Sequence, residues 1–179
     1  MVTPLNELPA TDPDSGLVNV VIDTPKGSRN KYKFDEKDEQ WRLSKTLPQG
    51  AFFPFDFGFV PSTAADDGDP LDVLLVAEEP TFPGCIVPGR LIGVLEAEQT
   101  EKGKTIRNDR LIAVLETPYN PPLYDSLDQI HKQVLEEIEH FFIAYNRAEG
   151  RQFKPLGRRG PERARELLKK ATDRRSEKK

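Results

Sequence analysis

The densest chemistry in this sequence lies in Asp66-Asp67-Gly68-Asp69-Pro70-Leu71-Asp72, where four carboxylates fall within seven residues. Carboxylates crowded this closely repel one another unless positive charge sits among them. Hard divalent cations, which prefer oxygen ligands, are the usual source of that charge. The apolar run Leu71–Val76 follows at once and reads as a buried strand that would fix the turn to a rigid base. The same residues also suit a solvated Asp-Gly, Asp-Pro turn between two strands. Alone, the segment leaves both readings open.

Other residue types narrow the chemistry. Cys85 is the only cysteine, which rules out an internal disulfide and a metal cage of thiolates. His131 and His140 lie nine residues apart within one helical pattern, not at the spacing of a zinc pair, and read as surface or packing residues. The 179 residues suit one domain with terminal extensions, and the net charge of -4 favours solubility over nucleic-acid or membrane affinity. The charge is uneven: residues 1–120 carry 12 Lys+Arg against 20 Asp+Glu, and residues 121–179 carry 14 against 10. An acidic main body argues against a cationic nucleic-acid groove. No apolar run reaches the length of a membrane span, and no basic-then-apolar leader opens the chain. The expectation is a protein of the reducing cytoplasm that binds neither nucleic acid nor membrane.

Positioning these residues requires elements, and many short strands are expected before two helices. Residues 1–16 read as a loose arm, residues 17–150 as the main domain, and residues 151–179 as a helix with a basic tail. Strands are expected at Leu17–Asp23, Lys31–Phe34, Gln40–Leu43, Leu71–Val76, Ile86–Val87 with Leu91–Leu95, and Leu111–Leu115. Phe52–Pro61, with prolines at both ends and Gly58 inside, reads as a bent, edge-like aromatic segment. Glu96–Asp109 reads as a long charged loop. Leu127, Ile130, Val134, Ile138, Phe141 and Tyr145 make one helical face, capped by Asp125 or Ser126 and closed near Gly150. Gly160-Pro161-Glu162 opens a second helix whose Leu167, Leu168 and Ala171 face inward and whose end frays beyond Asp173. This order is an α+β layout with a small barrel or strongly curled sheet.

With the strands placed, Asp67-Gly68-Asp69-Pro70-Leu71-Asp72 resembles the signature of the soluble family I inorganic pyrophosphatases. Flanking landmarks follow in order: Val21-Ile22-Asp23-Thr24-Pro25, Lys31-Tyr32, Pro54 to Gly58, Gly93-Val94-Leu95, and His140-Phe141-Phe142 leading to Tyr145. The resemblance implies a closed five-stranded β-barrel flanked by two helices, often assembled as a hexamer. It implies hydrolysis of pyrophosphate to two phosphates with Mg²⁺, or Mn²⁺ in its place. By motif position Asp67, Asp72, Asp69, Asn108 and Asp23 would be the metal ligands, with Asp69 also the base beside the attacking water. Lys31, Lys45, Arg110 and Tyr145 would hold phosphate oxygens.

This sequence also departs from the family pattern at the chemistry itself. Lys33 stands where the family has a glutamate, Phe53 and Phe57 where it has tyrosines, and Asn146 where it has a lysine. Gln99 and Asn108 stand for two acids, although a shift in register would bring Glu98, Glu101 or Asp109 to those places. Arg110 replaces a lysine, keeping the charge with a different shape. Three readings follow. One is an Mg-dependent inorganic diphosphatase of reduced rate. The second is a silent member that binds metal or anions or serves in assembly. The third is a hydrolase of another phosphoanhydride.

Overall fold

Short aliphatic and β-branched runs, each bounded by Gly, Pro or Asp, build the body of the molecule. A computed structural model describes residues 4–35 and 37–177. Its strands, in chain order, are β1 (Val18–Thr24), β2 (Asn30–Asp35), β3 (Gln40–Thr46), β4 (Asp56–Val60) and β5 (Leu71–Val76). Then come β6 (Ile86–Glu101), β7 (Lys104–Arg107), β8 (Arg110–Leu115) and β9 (Gln152–Arg159). The helices are α1 (Lys132–Ala148), before β9, and α2 (Pro161–Glu177), after it.

β1 pairs with β4, β4 with β5, β5 in parallel with β8, β8 with β6, and β6 returns to β1. Five strands therefore close into a ring, and the fold is an α+β barrel with two flanking helices. β5 is buried on nearly every residue, which matches its unbroken apolar sequence. One apolar cluster joins Phe53, Phe57, Ile92, Leu95 and Ile112 to Leu135, Ile138 and Phe142 of α1. A second joins Val20, Val73, Leu75 and Leu111 to Ala164 and Ala171 of α2.

Several expectations need correction. Glu96–Asp109 is no loop: β6 runs on to Glu101, and β7 turns back against it through Lys102 and Gly103. Its inward residues there are Ala97 and Gln99, small or polar, so the strand shows no apolar alternation. β4 is not an edge. It lies between β1 and β5, because Pro54 and Pro61 fall outside the strand and Gly58 lets β1 approach. A Cβ at Gly58 would stand 2.0 Å from the Val21 carbonyl oxygen.

The first helix begins later than Asp125 or Ser126. His131 caps it, its Nδ1 accepting from the Gln133 amide at 3.3 Å, while Leu127–Gln129 forms a separate 3-10 turn. Leu127 and Ile130 are nevertheless buried. Gly150, at φ 73°, then takes the chain out of α1 toward β9. β9 pairs with the far half of β6, so part of the basic C-terminal segment is sheet. Nor does α2 fray after Asp173, since it continues to Glu177. In the N-terminal arm, Leu5–Glu7 forms a 3-10 turn, Ala10 is buried and Thr11 bridges to Val18. Residues 1–3 of that arm and 178–179 of the tail lie outside the described residues.

Candidate active site

Strand alternation aims the acids. Asp23 lies between the buried Ile22 and Thr24 on β1, and Asp72 between the buried Leu71 and Val73 on β5. Both carboxylates therefore leave the barrel on the same side as the turn that precedes β5. That turn is held by its backbone: Ala65 N–H donates to the Asp69 carbonyl at 2.7 Å and Gly68 N–H to the Ala65 carbonyl at 3.1 Å. Asp69 N–H donates to the Asp67 carboxylate at 3.1 Å.

Facing the acids is the separate β2–β3 ribbon, where Lys31 and Lys45 stand directly opposite one another. Tyr145 enters from the last turns of α1. All nine candidate residues (Asp23, Lys31, Lys45, Asp67, Asp69, Asp72, Asn108, Arg110 and Tyr145) line one cavity of about 930 Å³.

The cations are not equally engaged. Lys31 Nζ lies 4.6 Å from the Phe57 ring centroid, 5.7 Å from that of Phe53 and 5.8 Å from that of Tyr145. Phe53 and Phe57, which offer no hydroxyl, thus supply ring faces that favour a cation. Lys45 pairs with Glu149 and lies 5.1 Å from the Tyr145 ring. Arg110 is buried, with its guanidinium 2.7 Å from Asp72 and 5.2 Å from the Phe142 ring. It also donates to the Asn108 side-chain oxygen.

The pairing of β6 with β7 sets the register of residues 98–107. Gln99 and Asn108 line the cavity, whereas Glu98, Glu101 and Asp109 do not. Asp109 instead accepts from the Ala97 amide at 2.9 Å and from Arg107 at 2.8 Å. The Asn108 amide is spent on both sides: its nitrogen donates to Gln99 Oε1 at 2.9 Å and its oxygen accepts from Arg110. Asn146 lines the cavity too, but its amide nitrogen donates back to the Phe142 carbonyl at 2.8 Å, within α1.

The electrostatics record the crowding of acids. Burial pushes the Asp23 carboxyl up to about 6; Asp72 adds to the rise, while Lys31, the nearby Thr24 hydroxyl and Arg110 oppose it. Asp23 Oδ1 is shut off from solvent and accepts no hydrogen bond. Asp67 is raised as well, first by partial burial of its carboxyl and then by the charges of Asp72 and Asp69. Hard oxygen donors, two of them reluctant to ionise and one orphaned, fit a divalent cation in chemistry. Among the described residues, however, no three Asp, Glu, His or Cys side chains already converge on one point, and Asp72 is tied to Arg110. The donor set fits; its members must draw together to share an ion.

Sequence reasoning missed Glu149, Arg151 and Arg175. Glu149 bridges Lys45 and Arg151, and Arg151 and Arg175 line the cavity. All three belong to the charged C-terminal quarter, where no apolar period marks which face is inward. The pairing of β9 with β6, which begins one residue after Arg151, was the missing signal.

A five-stranded barrel that carries an acidic turn opposite lysine, arginine and tyrosine side chains defines a site for phosphate chemistry. Comparison with known proteins names the family. The inorganic pyrophosphatase family matches over residues 20–176. Inorganic pyrophosphatase from Nostoc sp. is 40% identical over 156 residues, covering 86% of this chain and 88% of that one. The Methanosarcina acetivorans enzyme is 37% identical over 160 residues, covering 89% and 93%. The crystal structure of inorganic pyrophosphatase from Thermus thermophilus superposes with a TM-score of 0.86 at 34% identity, covering 97% of this chain and 99% of that one. The chain belongs to the inorganic pyrophosphatase family.

Proposed function

We propose that the protein hydrolyses inorganic pyrophosphate to two phosphates with Mg²⁺, Mn²⁺ serving as a substitute. The observation that carries this reading is the single cavity in which four aspartates face Lys31, Lys45, Arg110 and Tyr145. Asp67, Asp69, Asp72 and Asp23, with Asn108 as a neutral oxygen, are the residues that would hold the ions. When bound, such ions make water a stronger acid and neutralise phosphate charge.

The protein's own groups do the rest. Asp69, on the exposed tip of the turn, takes the proton of the attacking water. Lys31, held among ring faces, and Lys45 bind phosphate oxygens from the ribbon side. Tyr145 donates its hydroxyl, and Arg110 offers a buried fork of N–H groups at the base of the cavity. Assembly as a homo-oligomer, a hexamer by family resemblance, and residence in the cytoplasm belong to the same proposal.

Two observations favour a slower enzyme, up to a silent one. Asn108 has both ends of its amide engaged and Arg110 already neutralises Asp72, so two ligand positions bind a cation weakly. Phosphate release from pyrophosphate, with Mg²⁺ and with Mn²⁺, distinguishes these readings. The expected result is measurable turnover that falls about 10²- to 10⁴-fold in Asp69→Ala. Absence of turnover with either metal, or an undiminished rate in the variant, overturns the enzymatic reading.

A further inference from the structure

Arg175 is the one cavity residue supplied by the C-terminal helix. Its helix end is bolted beside the acidic turn. Ala64 N–H donates to the Ala171 carbonyl at 2.9 Å, and the Arg174 guanidinium lies 2.6 Å from Asp66 and donates to the Ala64 carbonyl at 3.4 Å. Lys170 Nζ adds a weaker contact with Asp66 at 3.8 Å. These bonds fix the last turns of α2 against residues 64–66, immediately before Asp67. The neighbouring side chain, Arg175, is thereby carried to the acidic wall of the cavity.

Arg175 itself is unspent. Its side chain makes no hydrogen bond or ion pair with any other described residue, and its Nε is closed off from solvent with no acceptor. A guanidinium N–H withdrawn from water without an acceptor costs free energy, and the two Nη groups, neither bonded nor closed off, are the ones that an anion in the cavity would meet. Arg110 and Arg151 also have an Nε closed off without a hydrogen bond, but each has an ion-pair partner that Arg175 lacks, Asp72 for Arg110 and Glu101 with Glu149 for Arg151. A planar fork suits a phosphate group, which can accept two parallel N–H bonds.

We propose that Arg175 is a further substrate-binding residue, holding a phosphate group of pyrophosphate, or the phosphate product, where the cavity meets the acidic turn. Arg174 and Asp66 act as positioning residues that set its place. This inference rests on the pyrophosphatase reading above for its substrate. On that reading the site draws on two parts of the chain far apart in sequence, the turn at 66–72 and the last turn of α2.

The test uses the full chain and two readouts, steady-state pyrophosphate hydrolysis with Mg²⁺ and calorimetric binding of inorganic phosphate. Arg175→Gln should raise KM and weaken phosphate binding about tenfold, with kcat changed by about threefold or less. Arg175→Lys should recover part of the loss, and Asp66→Asn should give a smaller loss of the same kind. Arg165→Gln, on the outer face of α2 and paired only with Glu162, serves as the control and should match the wild type. Unchanged KM and phosphate affinity in Arg175→Gln overturn the proposal. So does a fall in kcat and thermal stability that Arg175→Lys does not repair, since that marks a structural role. If the wild type fails to hydrolyse pyrophosphate, the functional reading falls, and the phosphate titrations of wild type and Arg175→Gln still decide the role of Arg175.

Discussion

With its carboxyl pushed up to about 6 from the ordinary 3.8, Asp23 makes the metal-free protein sensitive to pH in a defined direction. The folded state holds a proton on this group more tightly than the unfolded state does. The stability it contributes is therefore fully present below about pH 3.8 and is lost as pH rises through about 6. Asp23→Asn should raise the Tm of the metal-free protein at pH 8, by the equivalent of up to about 3 kcal/mol, and leave it nearly unchanged at pH 4. Equal shifts at both pH values would count against the buried carboxylate. Asn108 allows a second test. Asn108→Asp places a charge between Gln99 and Arg110, so half-maximal activity should require several-fold less Mg²⁺. Lys33→Glu combined with Phe57→Tyr should raise kcat about tenfold or more if these departures slow the enzyme, since a transition-state donor contributes on that scale or above. An unchanged kcat removes that explanation. Most of this site could be read from the motif and its landmarks. What could not be read was which partner each group had already taken, as Asn108 and Asn146 show, because hydrogen bonds between distant residues leave no local pattern.

Among the elements, long apolar strands were legible and strands with polar interiors were not. β5 declares itself through six residues, five of them buried. The outer half of β6, β7 and β9 exist through pairing with one another, and their inward residues include Gln99 and a lone Phe153, too few to show a period. The same logic explains β4. Two prolines and a glycine suggested an edge, yet the glycine is what permits its central place. Gly58→Ala should cost about 3 kcal/mol, because the added methyl meets the β1 backbone rather than a movable side chain. Urea denaturation would measure it, and a loss under about 0.5 kcal/mol, the range of ordinary surface changes, would show that β1 and β4 can part without penalty.

At the scale of the molecule, a cation that binds only the folded cavity must stabilise the whole chain. Raising Mg²⁺ from micromolar to millimolar should increase Tm progressively, and excess chelator should reverse the gain. A Tm indifferent to Mg²⁺ would argue that the aspartates never share an ion. The closed ring has a different consequence, one of timing. β1 and β4 can meet once about sixty residues have been made, but the second partner of β1 is residues 86–89 of β6. A nascent chain therefore carries β1 with one bare edge, rich in valine and isoleucine, until the start of β6 has been synthesised. Non-local closure of this kind is slow, and exposed edges of this composition pair with other chains. The interval of greatest exposure to aggregation therefore runs from the synthesis of Thr24 to that of Leu115, because β5 and β6 each keep an edge open until β8, their shared partner, has been made.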